Sequence, residues 1–303
     1  MGIVKNVMEM TWVDIQELDK EKTLLFVTIA PIEEHSHHLP LGTDIYEGEH
    51  WRKTLTEHLH GKFPDFNLLF LPPVPIACAG ASNFYGNLLF KQNTVKRVTY
   101  ELLSNIVKWK IRNIIILASH GDPKHLIAVE EACVKVNKKH GVCAFSPMGA
   151  MFSAKELGID LKGPKEIESV ISKYPNDFHA GWIETSNMLD IDESLVKSNY
   201  ADLPDTMISE KEMISSKKIL KKMASYGHLG YPRVARKELG RLLNENLAQY
   251  LVEAVSAFIQ RKNYEKYEHH SLYKIPFLRT NFKRNLIGTI IILILIAATI
   301  LLR

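Results

Sequence analysis

Leu24-Leu25-Phe26-Val27-Thr28-Ile29-Ala30-Pro31-Ile32-Glu33-Glu34-His35-Ser36-His37-His38-Leu39-Pro40-Leu41-Gly42-Thr43-Asp44 is the stretch on which the reading of this chain turns. Its first seven residues form an apolar run closed by Pro31, the pattern of a strand buried on both faces. After the strand come two adjacent carboxylates, three imidazoles within four residues, and a further carboxylate behind a Leu-Pro-Leu-Gly-Thr turn. Neutral imidazole with carboxylate oxygen suits zinc, manganese or iron. A loop leaving the C-terminal end of a strand is where open α/β sheets bind their ligands. A solvated loop that happens to be rich in histidine is the plainer alternative.

The flanking sequence alternates strand and helix. Residues 67–71 make a second apolar run, ended by Pro72-Pro73, and Val95, Val98, Leu102, Ile106 and Trp109 recur at helical spacing. Residues 113–118 are again wholly apolar, residues 124–139 turn Leu126, Val129, Cys133 and Val136 to one helix face, and residues 142–145 give another strand. This is a right-handed βαβ unit. A long helix over 242–259 closes the series, and the lysine-rich patch 217–222 reads as a solvated helix face. The expectation is one α/β domain over residues 1–260, with helices on both faces of a mostly parallel central sheet, a three-layer α-β-α architecture. His120 directly follows the strand 113–118, which puts it on the same sheet edge as the first cluster. Asp122, two residues on, is placed to be the N-cap of the helix begun by Pro123.

Composition is that of a globular chain: 303 residues, 46% hydrophobic, 24% charged, net charge +4. No basic stripe with interleaved aromatics is present, so nucleic acid is not an expected partner. Cys78, Cys133 and Cys143 lack CxxC spacing, which points to a reducing compartment without a disulfide framework. No apolar segment follows Met1, so no secretory signal is expected. Residues 286–302 form an apolar run without a charge, roughly 26 Å long as a helix against a hydrocarbon core of about 30 Å. Lys274, Arg279, Lys283 and Arg284 precede it. Such a run reads as a single-pass C-terminal membrane anchor with the domain on the cytoplasmic side, the alternatives being a buried helix or an oligomer contact. Residues 261–285, with their tyrosines and basic residues, read as a juxtamembrane linker or as a loop packed back on the domain.

Glu33-x-His35-x-x-His38-Leu39-Pro40-Leu41-Gly42-Thr43-Asp44 resembles the signature of the creatininase (creatinine amidohydrolase) family. The resemblance returns at Phe84-Tyr85-Gly86-Asn87, at His120, at His179-Ala180-Gly181-x-x-Glu184-Thr185-Ser186 and at Gly227-x-x-Gly230-Tyr231-Pro232, covering roughly residues 10 to 260. It implies a creatininase-like fold, assembly into a homo-oligomer, and two divalent metal ions, zinc, manganese or iron. Asp44 would bridge them, Glu33 and His120 would complete one, and His35 with Asp122 or water the other. It implies hydrolysis of a non-peptide, possibly cyclic, amide C–N bond of a small-molecule substrate by a metal-bridging hydroxide. His179 would shuttle a proton to the leaving nitrogen and Glu184 would orient water or a ligand. His38 would orient a liganding carboxylate, while His37 would be exposed. Trp182 would wall the pocket or sit in the core.

The chain departs from the family pattern at Cys78, Gly80 and Ala81, where relatives carry polar groups near the substrate, so a substrate other than creatinine is expected. The same departures leave open a catalytically retired scaffold that binds metal or ligand at a membrane. A peptidase trimming a short peptide is the other alternative.

Overall fold

The computed structural model describes residues 1–80, 84–161, 163–213 and 215–301, and side chains in the last helix as far as residue 293, apart from those of residues 283–284. The sheet is built from β1 (Val4–Asn6), β2 (Thr23–Ala30), β3 (Asn67–Phe70), β4 (Val74–Pro75), β5 (Asn113–Leu117) and β6 (Cys143–Phe145). Its order is β1-β3-β2-β5-β6, with β4 pairing the end of β2, and every pairing is parallel. All eight residues of β2 and all five of β5 are buried. Parallel strands covered on both faces have no polar side to present, which is why both read as unbroken apolar runs.

The connections explain the layers. From β2 the chain crosses through α1 (Thr43–Lys62) to β3 on one side, then returns past β2 through α2 (Gln92–Lys108) to β5 on the other. Right-handed crossovers in opposite directions place their helices on opposite faces. α3 (Pro123–His140) continues in the direction of α2 and packs against it, whereas α4 (Trp182–Asp192) and α5 (Lys237–Gln260) pack with α1. The three-layer expectation holds. The reversal of direction falls between β2 and β5, and their C-terminal ends flank the crevice in which such sheets bind ligands.

α1 and α4 are absent from the periodicity reading. The buried stripe of α1 includes Thr43, Asp44, Glu47, Gly48, Arg52 and Thr56, and that of α4 includes Thr185, Ser186 and Asn187. Polar residues on an inward face erase the apolar rhythm by which amphipathic helices are recognised. Cys78, Cys133 and Cys143 are all free thiols. The exposed lysines 217, 218, 221 and 222 lie on a short helix, Ser216–Met223, as a solvated face.

Residues 264–280 do not hang free as a linker; they pack back on α2 and α3. Two adjacent buried carboxylates of α3 hold them. Glu130 accepts the His270 amide (2.9 Å), and Glu131 accepts Arg279 Nε (2.8 Å), the Thr280 amide (3.1 Å) and the Thr280 hydroxyl. From α2, Gln92 Nε2 donates to the Leu278 carbonyl (2.8 Å) and Lys96 Nζ to Thr280 Oγ1 (2.7 Å). The chain then enters α6 (Phe282–Leu301), which contains most of the apolar run. Among the described residues no helix is long and apolar enough to cross a membrane. The side chains from residue 294 onward, half of the run expected to span one, lie outside the described set. Those that are described, Leu286, Ile287 and Ile290 through Leu293, are 47–59% exposed, so this part of the helix is not buried against the domain.

Glu131→Ala leaves Arg279 and Lys96 without their shared counter-charge, and removing one partner of a buried pair costs about 3–5 kcal/mol. Arg279 is partly exposed, so the low end of that range is expected. Hydrogen exchange should show residues 264–281 opening while β2 and β5 stay protected. Unchanged protection of that segment would contradict the docking described.

Candidate metal centre

Beyond Ala30 the chain folds back on itself. The Glu33 amide donates to the Leu41 carbonyl (2.9 Å) and the Leu39 amide to the His35 carbonyl (3.3 Å). Asn87 Oδ1 accepts the Glu34 amide from outside the loop (2.6 Å), and Ser36 makes the reversal at φ 62°. The loop ends in the first turn of α1, which contains Asp44. Unpaired peptide N–H groups at a helix start favour a carboxylate there. β5 delivers His120, and the first turn of α4 delivers Glu184.

These side chains converge with little water: Glu33 is 4% exposed, His35 0%, Asp44 3% and His120 7%. Asp44 Oδ2 lies 3.7 Å from His35 Nε2 and 3.4 Å from His120 Nδ1. Glu33 Oε2 is 3.4 Å from His120 Nδ1, and Glu184 Oε2 is 3.7 Å from His35 Nε2. Glu33 Oε2, His35 Nε2 and Asp44 Oδ2 are buried without a hydrogen-bond partner. Such separations exceed a normal N–H···O bond. They match neighbouring ligands of one ion: atoms about 2.0–2.2 Å from a tetrahedral centre stand about 3.3–3.6 Å apart. Asp44 belongs to two donor sets, one with Glu33 and His120, the other with His35 and Glu184, and a third set joins Glu33, His35 and His179. A carboxylate shared in this way is placed to bridge two ions.

The electrostatics suit a site that attracts a cation. Burial opposes a charged His120, yet Glu33 and Asp44 outweigh it and push the ring up to about 10. His35 is raised likewise, burial again resisting and Asp44 and Glu184 prevailing. Burial alone would raise Asp44, but the two rings hold it below the ordinary carboxylate range, whereas Glu33 is raised, burial dominating. In His35 the second ring nitrogen, Nδ1, bonds the Glu33 carbonyl (3.0 Å), which leaves Nε2 as the atom offered to an ion.

The sequence expectations divide as follows. Glu33, His35, Asp44 and His120 come together. Asp122 does not join them: its Oδ1 accepts the Lys124 amide (2.7 Å) and its Oδ2 the Gly80 amide (3.1 Å), so it caps α3. Glu184, expected to orient water or a ligand, stands beside His35, its Oε2 3.7 Å from Nε2. His179 Nε2 donates to the Glu34 carbonyl (2.8 Å), and its ring lies 4.5 Å from that of His35. His38 orients no carboxylate; its Nε2 pairs with Thr185 Oγ1 (2.7 Å) and braces α4. His37 is exposed, and Trp182 is a fully buried core residue. Of the departures from the family pattern, Cys78 and Gly80 line the adjoining loop, while residues 81–83 lie outside the described residues.

Three supporting groups escape a reading of sequence alone. Asp177 accepts the amides of Trp182 (3.0 Å), Ile183 (2.9 Å) and Tyr231 (2.9 Å), tying the start of α4 to the Gly230-Tyr231-Pro232 turn. A Cβ at Gly230, at φ 151°, would strike Asp177, and one at Gly227, at φ 74°, would strike Glu34. Glu47, one turn beyond Asp44, is raised well above the usual range by burial and by the charge of Glu184, and accepts Asn187 Nδ2 (2.8 Å). Glu34 places Oε1 3.6 Å from His179 Nε2.

A family model described as creatininase, creatinine amidohydrolase, matches residues 8–255. Among solved structures, the chain is similar to a creatinine amidohydrolase (creatininase) at 16% identity and TM-score 0.63, covering 84% of this chain and 97% of that one. A mutant creatininase of Zn-Zn type matches at 16% identity and TM-score 0.63 over 84% and 98% of the two chains. A manganese creatininase matches at 16% and 0.60 over 86% and 99%. No curated protein matches.

Protons and an ion compete for His35 and His120. Metal uptake by the metal-free chain should therefore acidify a weakly buffered solution, and apparent affinity should keep rising with pH up to about 10, where the His120 ring loses its proton. Calorimetric titration at several pH values checks this, and an affinity flat in pH would contradict the assignment of these rings as ligands.

Proposed function

The chain belongs to the creatininase family, as the match over residues 8–255 establishes, and from that premise we propose that it is a hydrolase of a small-molecule amide C–N bond working with two divalent ions. One observation carries the reading: the buried, unbonded Oδ2 of Asp44 faces His35 on one side and His120 on the other at ion-sharing distances. Glu33, Asp44 and His120 would hold one ion, and His35, Asp44 and Glu184 the other. Zinc and manganese both suit the donor set, and related structures are named for each. A pair of such ions, when bound, supplies Lewis acidity toward an amide carbonyl and a nucleophile at neutral pH.

The residues of the chain supply the rest. Because a carbonyl can only accept, Nε2 of His179 carries the proton of that bond and Nδ1 is the basic nitrogen. Nδ1, free of that bond, is the nitrogen that would take up a proton and pass it to a departing amine, while the Nε2 proton stays on the Glu34 carbonyl. The His179 ring is oriented by the Glu34 carbonyl and by the ring of His35. Ala180 follows at φ 47°, a left-handed conformation held by the bond from its amide to Glu184 Oε2 (2.6 Å). The strain there keeps the proton carrier and the ligand carboxylate in one fixed relation. Cys78 is neutral, its thiol pushed up to about 12 by burial, so it adds no charge to the substrate side. With Gly80 beside it, that wall offers little to a polar ring such as creatinine, which favours a different small amide.

The reading extends to location: the run 286–302 would hold the domain at the cytoplasmic face of a membrane. Its support is the apolar sequence and the half-exposed side chains of α6 that no part of the domain covers. In water such a surface is unfavourable by about 25 cal/mol per Å².

Elemental analysis of the purified full chain should find about two divalent ions per chain, and Asp44→Ala should lose them together with turnover. His179→Ala should keep its metal while turnover of small amides falls about 10²–10⁴-fold. No bound metal, or full activity in His179→Ala, would overturn the assignment. For the membrane, the full chain should float with phosphatidylcholine vesicles and resist carbonate extraction. Replacing Ile290 and Ile291 by lysine should abolish flotation, and a chain that stays in the soluble fraction would refute anchoring.

A further inference from the structure

The two imidazoles facing Asp44 are supported unequally. His35 turns Nε2 to the site and secures Nδ1 on the Glu33 carbonyl. His120 turns Nδ1 to the site, and its Nε2 is buried without any partner. A ligating histidine gives its second N–H to an acceptor, which fixes the tautomer and the tilt of the ring. Beside His120 stands His125, in the first turn of α3, 0% exposed, with neither ring nitrogen in a well-formed hydrogen bond and one of them turned toward the Ile29 carbonyl. The ring centroids are 5.4 Å apart with planes at 66°, so the edge of one ring faces the other. Asp122 anchors this turn through the Lys124 and His125 amides, and Pro123 begins it. The cap that withholds Asp122 from the metal set therefore sets the position of His125.

We infer that His125 is a positioning residue for the ion held by His120: a turn of its ring from the edge-on packing seen here brings one ring nitrogen to accept the Nε2–H of His120 and so keeps Nδ1 as the ligand nitrogen. The inference rests on the metal reading above. Both rings then lose an unmet hydrogen-bonding need that is costly in a dry interior. The second imidazole does for His120 what the Glu33 carbonyl does for His35.

Glutamine and methionine have nearly the same shape, but only glutamine can accept a hydrogen bond. Metal affinity of the full chain, measured by chelator competition, is expected to weaken about 10- to 100-fold in His125→Met and to stay within a few-fold of wild type in His125→Gln. With cobalt(II), the visible band should change in His125→Met and return in His125→Gln. Thermal melts establish folding, and His125→Leu is the second acceptor-free variant if His125→Met does not fold. Equal affinity in all variants, or equal loss in Gln and Met, would overturn the inference. A wild-type chain that takes up no metal would instead overturn the reading on which it rests.

Discussion

Carboxylates and imidazoles gathered within 3.4–3.7 Å of one another, with the facing atoms of Glu33, His35 and Asp44 left unbonded, are the constraint to which the rest of this structure answers. Taking such groups out of water is unfavourable by several kcal/mol per charge unless something compensates. Protons on His35 and His120 compensate in part, which is the origin of their raised basicity. A divalent cation does so more fully, because one ion satisfies several donors at once. The fold holds the arrangement rigidly: β2 and β5 are central strands, buried along their whole length, and α1 starts at the ligand itself. A site built on strand ends and a helix start keeps its spacing better than one built on free loops.

The supporting frame spends most of its polar groups on local geometry. Asp177 gathers three amides, Asp122 caps α3, His38 braces α4, and Asn87 grips the Glu34 amide. Each of these looks like a candidate ligand or catalyst when only residue type is considered. Their hydrogen bonds show that they position the groups that are. Gly227 and Gly230 contribute by having no side chain: they let the turn approach Glu34 and Asp177 as closely as it does. The chain departs from the family pattern at Cys78 and Gly80, and Asp122 is spent on a cap, while Glu33, His35, Asp44 and His120 of that pattern are brought together.

The C-terminal third layer of meaning is mechanical. Glu130 and Glu131 on α3 bind the segment that leads into α6, and α3 begins three residues beyond His120. The segment leading into the apolar helix and the candidate metal centre are thus attached to the middle and the start of one element, about 11–12 Å apart at helical rise.

The apolar runs of β2, β3, β5 and β6 were legible because doubly covered parallel strands admit no polar residues, and α2, α3 and α5 because their inward faces are apolar. Glu33, His35, Asp44 and His120 were legible because donors of one chemical kind sit just past strand ends. α1 and α4 were not, since their buried faces carry threonine, serine, glutamate and asparagine bonded to groups distant in the chain. The capping role of Asp122, the approach of Glu184 to His35, and the edge-on packing of His125 beside His120 were decided only by tertiary structure. Sequence determines which side chains are available and on which sheet edge they emerge. Which of them face one another depends on how a cap, a left-handed residue and two glycines aim them, and that is settled by contacts between segments more than 80 residues apart, as between Glu34 and His179.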